Sequence, residues 1–118
     1  MAIISITDFV IREFFRSFRS QVNFFHSRLA DFVTLFRVGH FFEAYGSDAQ
    51  EITDLCRLWL LSEKRRVNAC AGFPVWRLPG MLEKIIGAGK NVAIVEQGEE
   101  GQYVRERYVW QIYCNGSI

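Results

Sequence analysis

Residues 36–46 read Phe36-Arg37-Val38-Gly39-His40-Phe41-Phe42-Glu43-Ala44-Tyr45-Gly46, and two apolar, strand-like runs meet there at one glycine. This pattern predicts a hairpin with its turn at Gly39 and His40 and its second strand from Phe41 to Tyr45. Residues two apart on a strand point to the same face of the sheet. Phe41 and Glu43 are therefore expected to project together, while Phe42 points to the opposite face.

The pairing of Phe41 with Glu43 has two interpretations. On an open face, a flat apolar ring next to a hydrogen-bond acceptor suits contact with a nucleobase. In an ordinary hairpin, Phe41 would belong to the core and Glu43 would be solvated. The stretch alone favours the ordinary hairpin, because aromatic side chains are usually buried.

The composition indicates one globular domain without a general attraction to nucleic acid. The chain has 118 residues, of which 50% are hydrophobic and 23% charged, and its net charge is only +1. No apolar run reaches the roughly 18 residues that a membrane span needs, so no membrane partner is expected. Cys56, Cys70 and Cys114 form no C-x-x-C pair, and we expect them to be small hydrophobes in a reducing, cytoplasmic compartment.

Apolar residues at steps of three and four predict a long amino-terminal helix. Ile3, Ile4 and Ile6 form a short apolar lead-in, Thr7 is placed to cap the helix, and the apolar stripe continues to Leu29. Residues 1–29 are thus expected to form a helical amino-terminal extension.

Two further helices are predicted downstream. Ser47-Asp48-Ala49-Gln50 has the capping-box pattern, in which the first and last side chains bond each other's backbone N–H groups, and it predicts a second helix. A third helix is expected from about Trp76 to Ala88, with Pro79 in its first turn, because a deeper proline would break it.

Strands alternate with these helices, which indicates an α+β fold. We predict a mixed sheet of about six strands flanked by about three helices, with the whole chain, residues 1–118, forming a single domain. The expected strands lie at residues 32–36, 41–45, 58–61, 67–72, 91–96 and 103–114.

The polar residues give little support to catalysis. The chain has no glycine-rich phosphate loop, and its two histidines, His26 and His40, stand in unlike contexts without a metal-binding companion. Cys70 lies in an apolar strand, where a thiol is hard to ionise. We therefore expect a protein that is not an enzyme and that uses no cofactor or metal.

Three ordered blocks of sequence carry a family resemblance. The first runs from Leu35 to Glu43 and continues with Gly46-Ser47-Asp48-Ala49, the second is Ala71-Gly72-Phe73-Pro74, and the third is Gly89 followed by Val92-Ala93-Ile94-Val95-Glu96-Gln97. In this order and at these separations they resemble the amino-terminal mismatch-recognition domain of the MutS DNA mismatch-repair family. The resemblance covers residues 30–117.

The resemblance implies a way of reading DNA. In that family the phenylalanine of Phe-x-Glu wedges into the minor groove and stacks on a mispaired or unpaired base, and the glutamate hydrogen-bonds that base. The matching residues here are Phe41 and Glu43. An apolar wedge kinks the duplex, which costs less where base pairing is already weak.

Four residues are expected to contact the DNA backbone. Arg65 and Arg66 lie in a charged connection at an expected hairpin tip, where they suit phosphate contacts. Trp76 occupies the position at which the family usually carries a histidine or arginine near the backbone, and Arg77 follows it. The chain also departs from the family at His40, where the family has an aspartate.

Two functions remain open from the sequence. One is binding of double-stranded DNA with a mispaired or unpaired base, linked to DNA mismatch repair, at the nucleoid when DNA is bound. The other is a protein-interaction domain that kept the fold but lost DNA reading, with a repair protein as partner or a homo-oligomer formed through Phe9, Phe24 or Phe25. The 118 residues hold none of the connector, core, clamp or ATPase of that family. Met1 and the changed motif residues favour a stand-alone protein over an excised fragment.

Overall fold

The computed structural model describes the backbone of residues 2–5 and all of residues 15–59 and 69–114, and the fold below refers to these residues. A single 3₁₀ turn, Val75–Arg77, precedes the last helix. In chain order the elements are β1 Ala2–Ser5, α1 Phe18–Arg28, β2 Val33–Val38, β3 Phe41–Tyr45, α2 Ser47–Cys56, β4 Cys70–Pro74, α3 Leu78–Gly87, β5 Val92–Gln97 and β6 Arg107–Cys114.

The strands form one six-stranded sheet in the order β1-β6-β5-β2-β3-β4. β2 and β5 are parallel, and the other neighbours are antiparallel, so the sheet is mixed. β2 and β3 form the expected hairpin around Gly39, whose φ of 61° suits a residue without Cβ. The α+β class predicted from the sequence is confirmed.

The sheet is covered by helices on both faces. α2 and α3 pack on one face, where Ile52 and Ile85 meet strand residues such as Leu35 and Phe42. α1 packs on the other face, where the Phe25 and Phe36 rings are 6.0 Å apart. Because strand side chains alternate between faces, Glu43 and Tyr45 lie on the α1 face.

The strand predicted at residues 58–61 is wrong where the structure describes it. The backbone of Arg57 turns left-handed, with φ of 55°, as the chain leaves α2, and the Leu58 N–H donates to the carbonyl oxygen of Thr53. Leu58 and Trp59 therefore form no strand. The sixth strand is instead Ala2–Ser5, a segment that we expected to lead into the first helix and that pairs with β6.

The first two helices also begin differently from the predictions. Ser17 is extended, and its side chain accepts the N–H of Ser20 to cap α1, so the helical stripe is broken before Phe18. Thr7 and the rest of residues 6–14 lie outside the described residues. Gly46 is the N-cap of α2 and Ser47 is already helical, so the capping box does not form. The third helix is confirmed, with Pro79 in its first turn.

The aromatic side chains of α1 pack inward. Phe25 is fully buried, and Phe24 is half-buried between the Phe15 ring and the Arg28 guanidinium, 3.6 Å from the ring centroid. Self-association through Phe25 is therefore wrong, because its ring belongs to the core. Phe9 lies outside the described residues.

Candidate functional site

Three connections meet at one end of the sheet, which we call the turn end. The β2–β3 turn lies there, and the Phe41–Pro74 pairing brings the end of β4 to the same place. Parallel β2 and β5 finish at the same end, so the loop of residues 98–106 between β5 and β6 also lies there. Each of the three blocks therefore has one part at the turn end, namely Gly39 to Phe41, Phe73-Pro74 and Glu96-Gln97, although these parts are far apart in sequence.

The backbone of the β2–β3 turn is held by side chains. The Gly39 carbonyl oxygen accepts from Arg37 Nε at 2.7 Å and from Gln97 Nε2 at 3.2 Å, while the Gly39 N–H donates to Gln97 Oε1 at 3.0 Å. Arg37 also lies 3.4 Å from both carboxylate oxygens of Glu96. Gln97 thus binds both backbone groups of one residue, and this fixes the turn.

Arg107, the first residue of β6, supports the end of β2 just before the same turn, a role that we did not predict from the sequence. This buried side chain donates from Nε to the Arg37 carbonyl oxygen at 3.1 Å and from Nη1 to Gln21 Oε1 at 2.9 Å. Its guanidinium lies 4.9 Å from the centroid of the Phe18 ring. The only sequence signal was a basic residue at the start of an otherwise apolar strand, which does not reveal burial.

Phe41 is exposed although it stands at the start of a buried strand. Its side chain is 46% exposed, whereas Phe42 to Tyr45 are all buried. Its backbone is paired with Val38 and Pro74, and the Val75 N–H donates to the His40 carbonyl oxygen at 3.0 Å. The interpretation of Phe41 as a core residue is wrong: the ring is presented to solvent from a fixed backbone.

Glu43 shows the opposite behaviour and is buried, with 1% of its surface exposed. The Tyr45 hydroxyl donates to its Oε1 at 2.6 Å. Gly72 pairs with Glu43 across the sheet, and a Cβ at Gly72 would lie 2.8 Å from the Phe42 carbonyl oxygen and 3.0 Å from Glu43 Cγ. The glycine of the second block therefore gives the Glu43 side chain its space.

The expected backbone contacts are only partly described. Trp76 lies in the 3₁₀ turn just after β4 and is 77% exposed, so it stands near the turn end. Arg77 is half-buried. Its charge acts on the nearby Cys56 thiol: burial raises the pKa of that thiol, and the charges of Lys84 and Arg77 oppose the rise. Arg65 and Arg66 lie outside the described residues.

The opposite end of the sheet, where α2 begins, holds a half-buried ionisable pair, His26 and Asp48; we call it the helix-start end. Asp48 Oδ2 accepts the Thr34 N–H at 3.0 Å and lies 3.7 Å from His26 Nε2. Burial raises the pKa of Asp48 to about 6, with a smaller contribution from Glu51, while Thr34 opposes the shift. Burial lowers the pKa of His26.

The described residues hold neither a metal cluster nor a membrane span. Nowhere in residues 15–59 or 69–114 do three histidine, cysteine or acidic side chains come together as metal ligands would. None of the described helices has the length and apolar character to cross a bilayer. Among the described residues Cys56, Cys70 and Cys114 form no disulfide, and the first two are buried.

Comparison with known sequences shows the family of the chain from residue 16 onward. The family description "MutS domain I" matches residues 16–118. The chain is 35% identical over 91 residues to the DNA mismatch repair protein MutS of Petrotoga mobilis, an overlap of 75% of this chain and 11% of that protein. The same coverage holds for the 39% identical MutS of Thermotoga neapolitana.

A third relative, the MutS of Bacteroides thetaiotaomicron, is 37% identical over 79 residues, or 64% of this chain and 9% of that protein. The chain thus spans only about a tenth of the length of these relatives. The family description nevertheless covers most of the chain, including the hairpin, the Gly72 block and the Gln97 block. The chain belongs to the MutS domain I family.

Proposed function

We propose that the chain binds double-stranded DNA at a mispaired or unpaired base, as part of DNA mismatch repair, with Phe41 as the stacking wedge. The exposure of Phe41 on a fixed turn carries this proposal. Family membership supports it, since the relatives are named DNA mismatch repair proteins.

The geometry of the turn suits a wedge in two ways. Stacking of an aromatic ring on a base contributes about 1–3 kcal/mol and tolerates any base. The Gly39 hydrogen bonds from Arg37 and Gln97 order the turn before binding, so less conformational entropy is lost when DNA arrives. A rigid backbone under an exposed ring therefore favours insertion at a step whose stacking is already weak.

Glu43 enters the proposal as the hydrogen-bond partner of the displaced base. Its carboxylate is buried and accepts the Tyr45 hydroxyl, so contact with a base requires the side chain to rotate outward on the face that it shares with Phe41. Ordinary duplex offers no unpaired base in return for that hydrogen bond. Replacing the Tyr45 hydrogen bond by one to an unpaired base would therefore increase the preference for mispaired over matched duplex more than it increases the affinity.

Contacts to the DNA backbone are proposed for Arg77 near the turn end, and for Arg65 and Arg66. The chain carries 14 basic and 13 acidic residues, so the electrostatic contribution to affinity is small. We expect weak binding that is lost steeply as salt increases.

A fluorescence-anisotropy titration at low salt tests the wedge, with duplexes that differ only by one G·T mispair. We expect Phe41→Ala to lower affinity for the mispaired duplex about tenfold, equivalent to about 1.4 kcal/mol. Phe41→Trp is the matched variant and should retain binding, because it keeps a stacking ring. Absence of wild-type binding, or unchanged binding by Phe41→Ala, would contradict the proposal.

The role of Glu43 is tested by the ratio of affinities for mispaired and matched duplexes. We expect Glu43→Ala to reduce that ratio severalfold, whereas Glu43→Gln should keep part of it because an amide oxygen still accepts a hydrogen bond. If both variants fold and keep the wild-type ratio, Glu43 serves the sheet and not the base.

A specific observation favours the second candidate function, a protein-interaction domain. Trp59, just after α2, is 89% exposed, which is unusual for so large an apolar side chain. The partner would be a repair protein or a second copy of the chain. Light scattering across a concentration series tests the second copy: self-association that Trp59→Ser abolishes would support it, and a monomer throughout would count against it.

A further inference from the structure

We infer that Phe41 and Trp76 form one stacking site for an unpaired nucleotide and its neighbour, so that the chain prefers a duplex with an inserted nucleotide over one with a base–base mispair. This inference rests on the proposed function and names its substrate class. It assigns Trp76 to the bases, whereas a backbone contact would place it on the phosphates.

The backbone holds the two residues close together. Phe41 pairs directly with Pro74 across the β3–β4 ladder, and antiparallel partners have Cα atoms about 4.5–5.5 Å apart. Trp76 follows Pro74 by two residues, and the Val75 N–H donates to the His40 carbonyl oxygen at 3.0 Å. The residue before Trp76 is thus bonded to the residue before Phe41.

Trp76 is held outward by its neighbours in the chain. Val75, the first residue of the 3₁₀ turn, and Leu78, which follows the turn, pack against the core formed with α2 and α3. The Leu78 N–H donates to the Val75 carbonyl oxygen, which closes the turn. With both neighbours anchored in the core, the indole of Trp76 is left 77% exposed.

In the described part of the protein, neither the Phe41 ring nor the Trp76 ring packs against another aromatic ring. Within residues 15–59 and 69–114, the recorded ring–ring contacts involve other aromatic residues, mainly Phe25, Phe36 and Tyr45. Phe41 and Trp76 are thus exposed aromatic side chains on neighbouring backbone segments, and exposed apolar surface of this kind marks a binding site. The adjacent Arg77 and the exposed His40 offer polar groups beside it.

Two rings favour unpaired nucleotides for an energetic reason. In a base–base mispair each base still has a partner to which it can hydrogen-bond, so taking one base out of the stack costs more than for a base without a partner. An inserted nucleotide has no partner and leaves the stack at the lowest cost. It can then stack on a second ring, which contributes about another 1–3 kcal/mol.

The first test compares three duplexes that share one sequence: fully matched, with one G·T mispair, and with one inserted adenosine. We expect the full chain to bind the inserted nucleotide about tenfold more tightly than the mispair. Trp76→Ala should remove this preference and leave the affinity for the mispair within about threefold. Trp76→Phe should retain the preference, because it keeps a stacking ring.

The second test reports on stacking directly. In a Trp59→Phe/Trp110→Phe background, whose fold is checked by circular dichroism, Trp76 is the only tryptophan. We expect its fluorescence to be quenched by the duplex with the inserted nucleotide and much less by the mispaired duplex. Quenching by all three duplexes alike would overturn the inference.

The outcomes separate this inference from the proposed function. If Phe41→Ala loses binding while Trp76→Ala keeps the preference, the inference fails and the wedge stands. If Trp76→Ala weakens all three duplexes equally, Trp76 contacts the backbone and the inference also fails. If the wild-type chain binds none of the duplexes, both fail.

Discussion

The two ends of the sheet use polar groups in opposite ways. At the turn end, the side chains of Arg37 and Gln97 form hydrogen bonds with the backbone of Gly39, and the Phe41 ring is exposed to solvent. At the helix-start end, the Thr34 backbone holds the carboxylate of Asp48, and the aromatic residue there, Tyr45, is buried. The first arrangement presents a rigid apolar surface, whereas the second keeps an ionisable group away from water.

Under the proposed function, the turn end serves binding and the helix-start end serves folding. Because Phe41 is 46% exposed, it forgoes about half of the roughly 1.5–3 kcal/mol that full burial of such a side chain contributes, which a partner would restore. Burying Asp48 raises its pKa to about 6 and so makes its ionised form unfavourable, but it joins α2 to β2. Changes at the turn end should therefore affect binding more than stability, and changes elsewhere in the sheet should do the reverse.

The largest effect is expected at Gly72, where stability and the site meet. In Gly72→Ala the new Cβ would lie 2.8 Å from the Phe42 carbonyl oxygen, so β3 and β4 must separate or Glu43 must move. We expect a loss of about 2–3 kcal/mol in the free energy of unfolding, measured by urea denaturation.

Gly80→Ala is the matched control for this change. A Cβ at Gly80 meets nothing within 4 Å, and the residue lies within α3, so the substitution should stabilise the protein by about 0.5–1 kcal/mol. Equal effects at the two glycines would show that the β3–β4 pairing tolerates a side chain opposite Glu43.

The next effect concerns the helix-start end and depends on pH. Burial raises the pKa of Asp48 from 3.8 to about 6, so between these values the folded chain holds a proton that the unfolded chain has released. The stability contributed by this proton is present at low pH and is lost as pH rises through 4 to 6. Asp48→Asn keeps an oxygen for the Thr34 N–H and does not titrate.

We therefore expect Asp48→Asn to match the wild type near pH 4 and to exceed it by about 2 kcal/mol above pH 6, in urea denaturation across that range. Lower stability of the variant at pH 7 would contradict this expectation. It would mean that the ionised carboxylate is stabilised by its neighbours, His26 at 3.7 Å being the nearest candidate.

The smallest effect on stability is expected at Gln97. Gln97→Ala removes two hydrogen bonds to the exposed Gly39, and we expect a loss of under about 1 kcal/mol in the free energy of unfolding. Affinity for mispaired DNA should fall about threefold, because the turn is no longer ordered in advance. Gln102→Ala, an exposed glutamine in the β5–β6 loop, is the control. A variant that loses stability but binds DNA as the wild type does would show that Gln97 serves folding and not binding.

Sequence patterns predicted correctly those helices and strands that depend on interactions between residues close together in the chain. The β2–β3 hairpin follows from strand formers on both sides of Gly39, and α3 follows from an apolar stripe with Pro79 in its first turn. The failures lie where distant partners compete. Ala2–Ser5 becomes a strand because β6 offers it a free edge, and Ser47 does not cap α2 because Gly46 takes the N-cap position.

The sequence predicted the face that Phe41 and Glu43 share, but not how deeply each side chain is buried. Alternation placed Phe41 and Glu43 on one face, yet one is exposed and the other is buried. Both residues are paired with β2 and β4, but Phe41 is the first residue of its strand at the open turn end. Glu43 lies two residues further along, opposite Phe36, on the face that packs against α1. The two hydrogen bonds between Gln97 and Gly39 could not be predicted from the sequence either, because the two residues are 58 positions apart.

By itself, the sequence determined the α+β class, the hairpin at Gly39 and the family to which the three blocks belong, because strand alternation, helical periodicity and glycine turns are local. Only the tertiary structure decided that those blocks meet at the turn end, since parallel pairing of β2 with β5 brings Gln97 to Gly39. It also decided which aromatic rings remain outside. Exposure is a property of neighbours in space, and for Phe41 and Trp76 those neighbours are a fixed turn and open solvent.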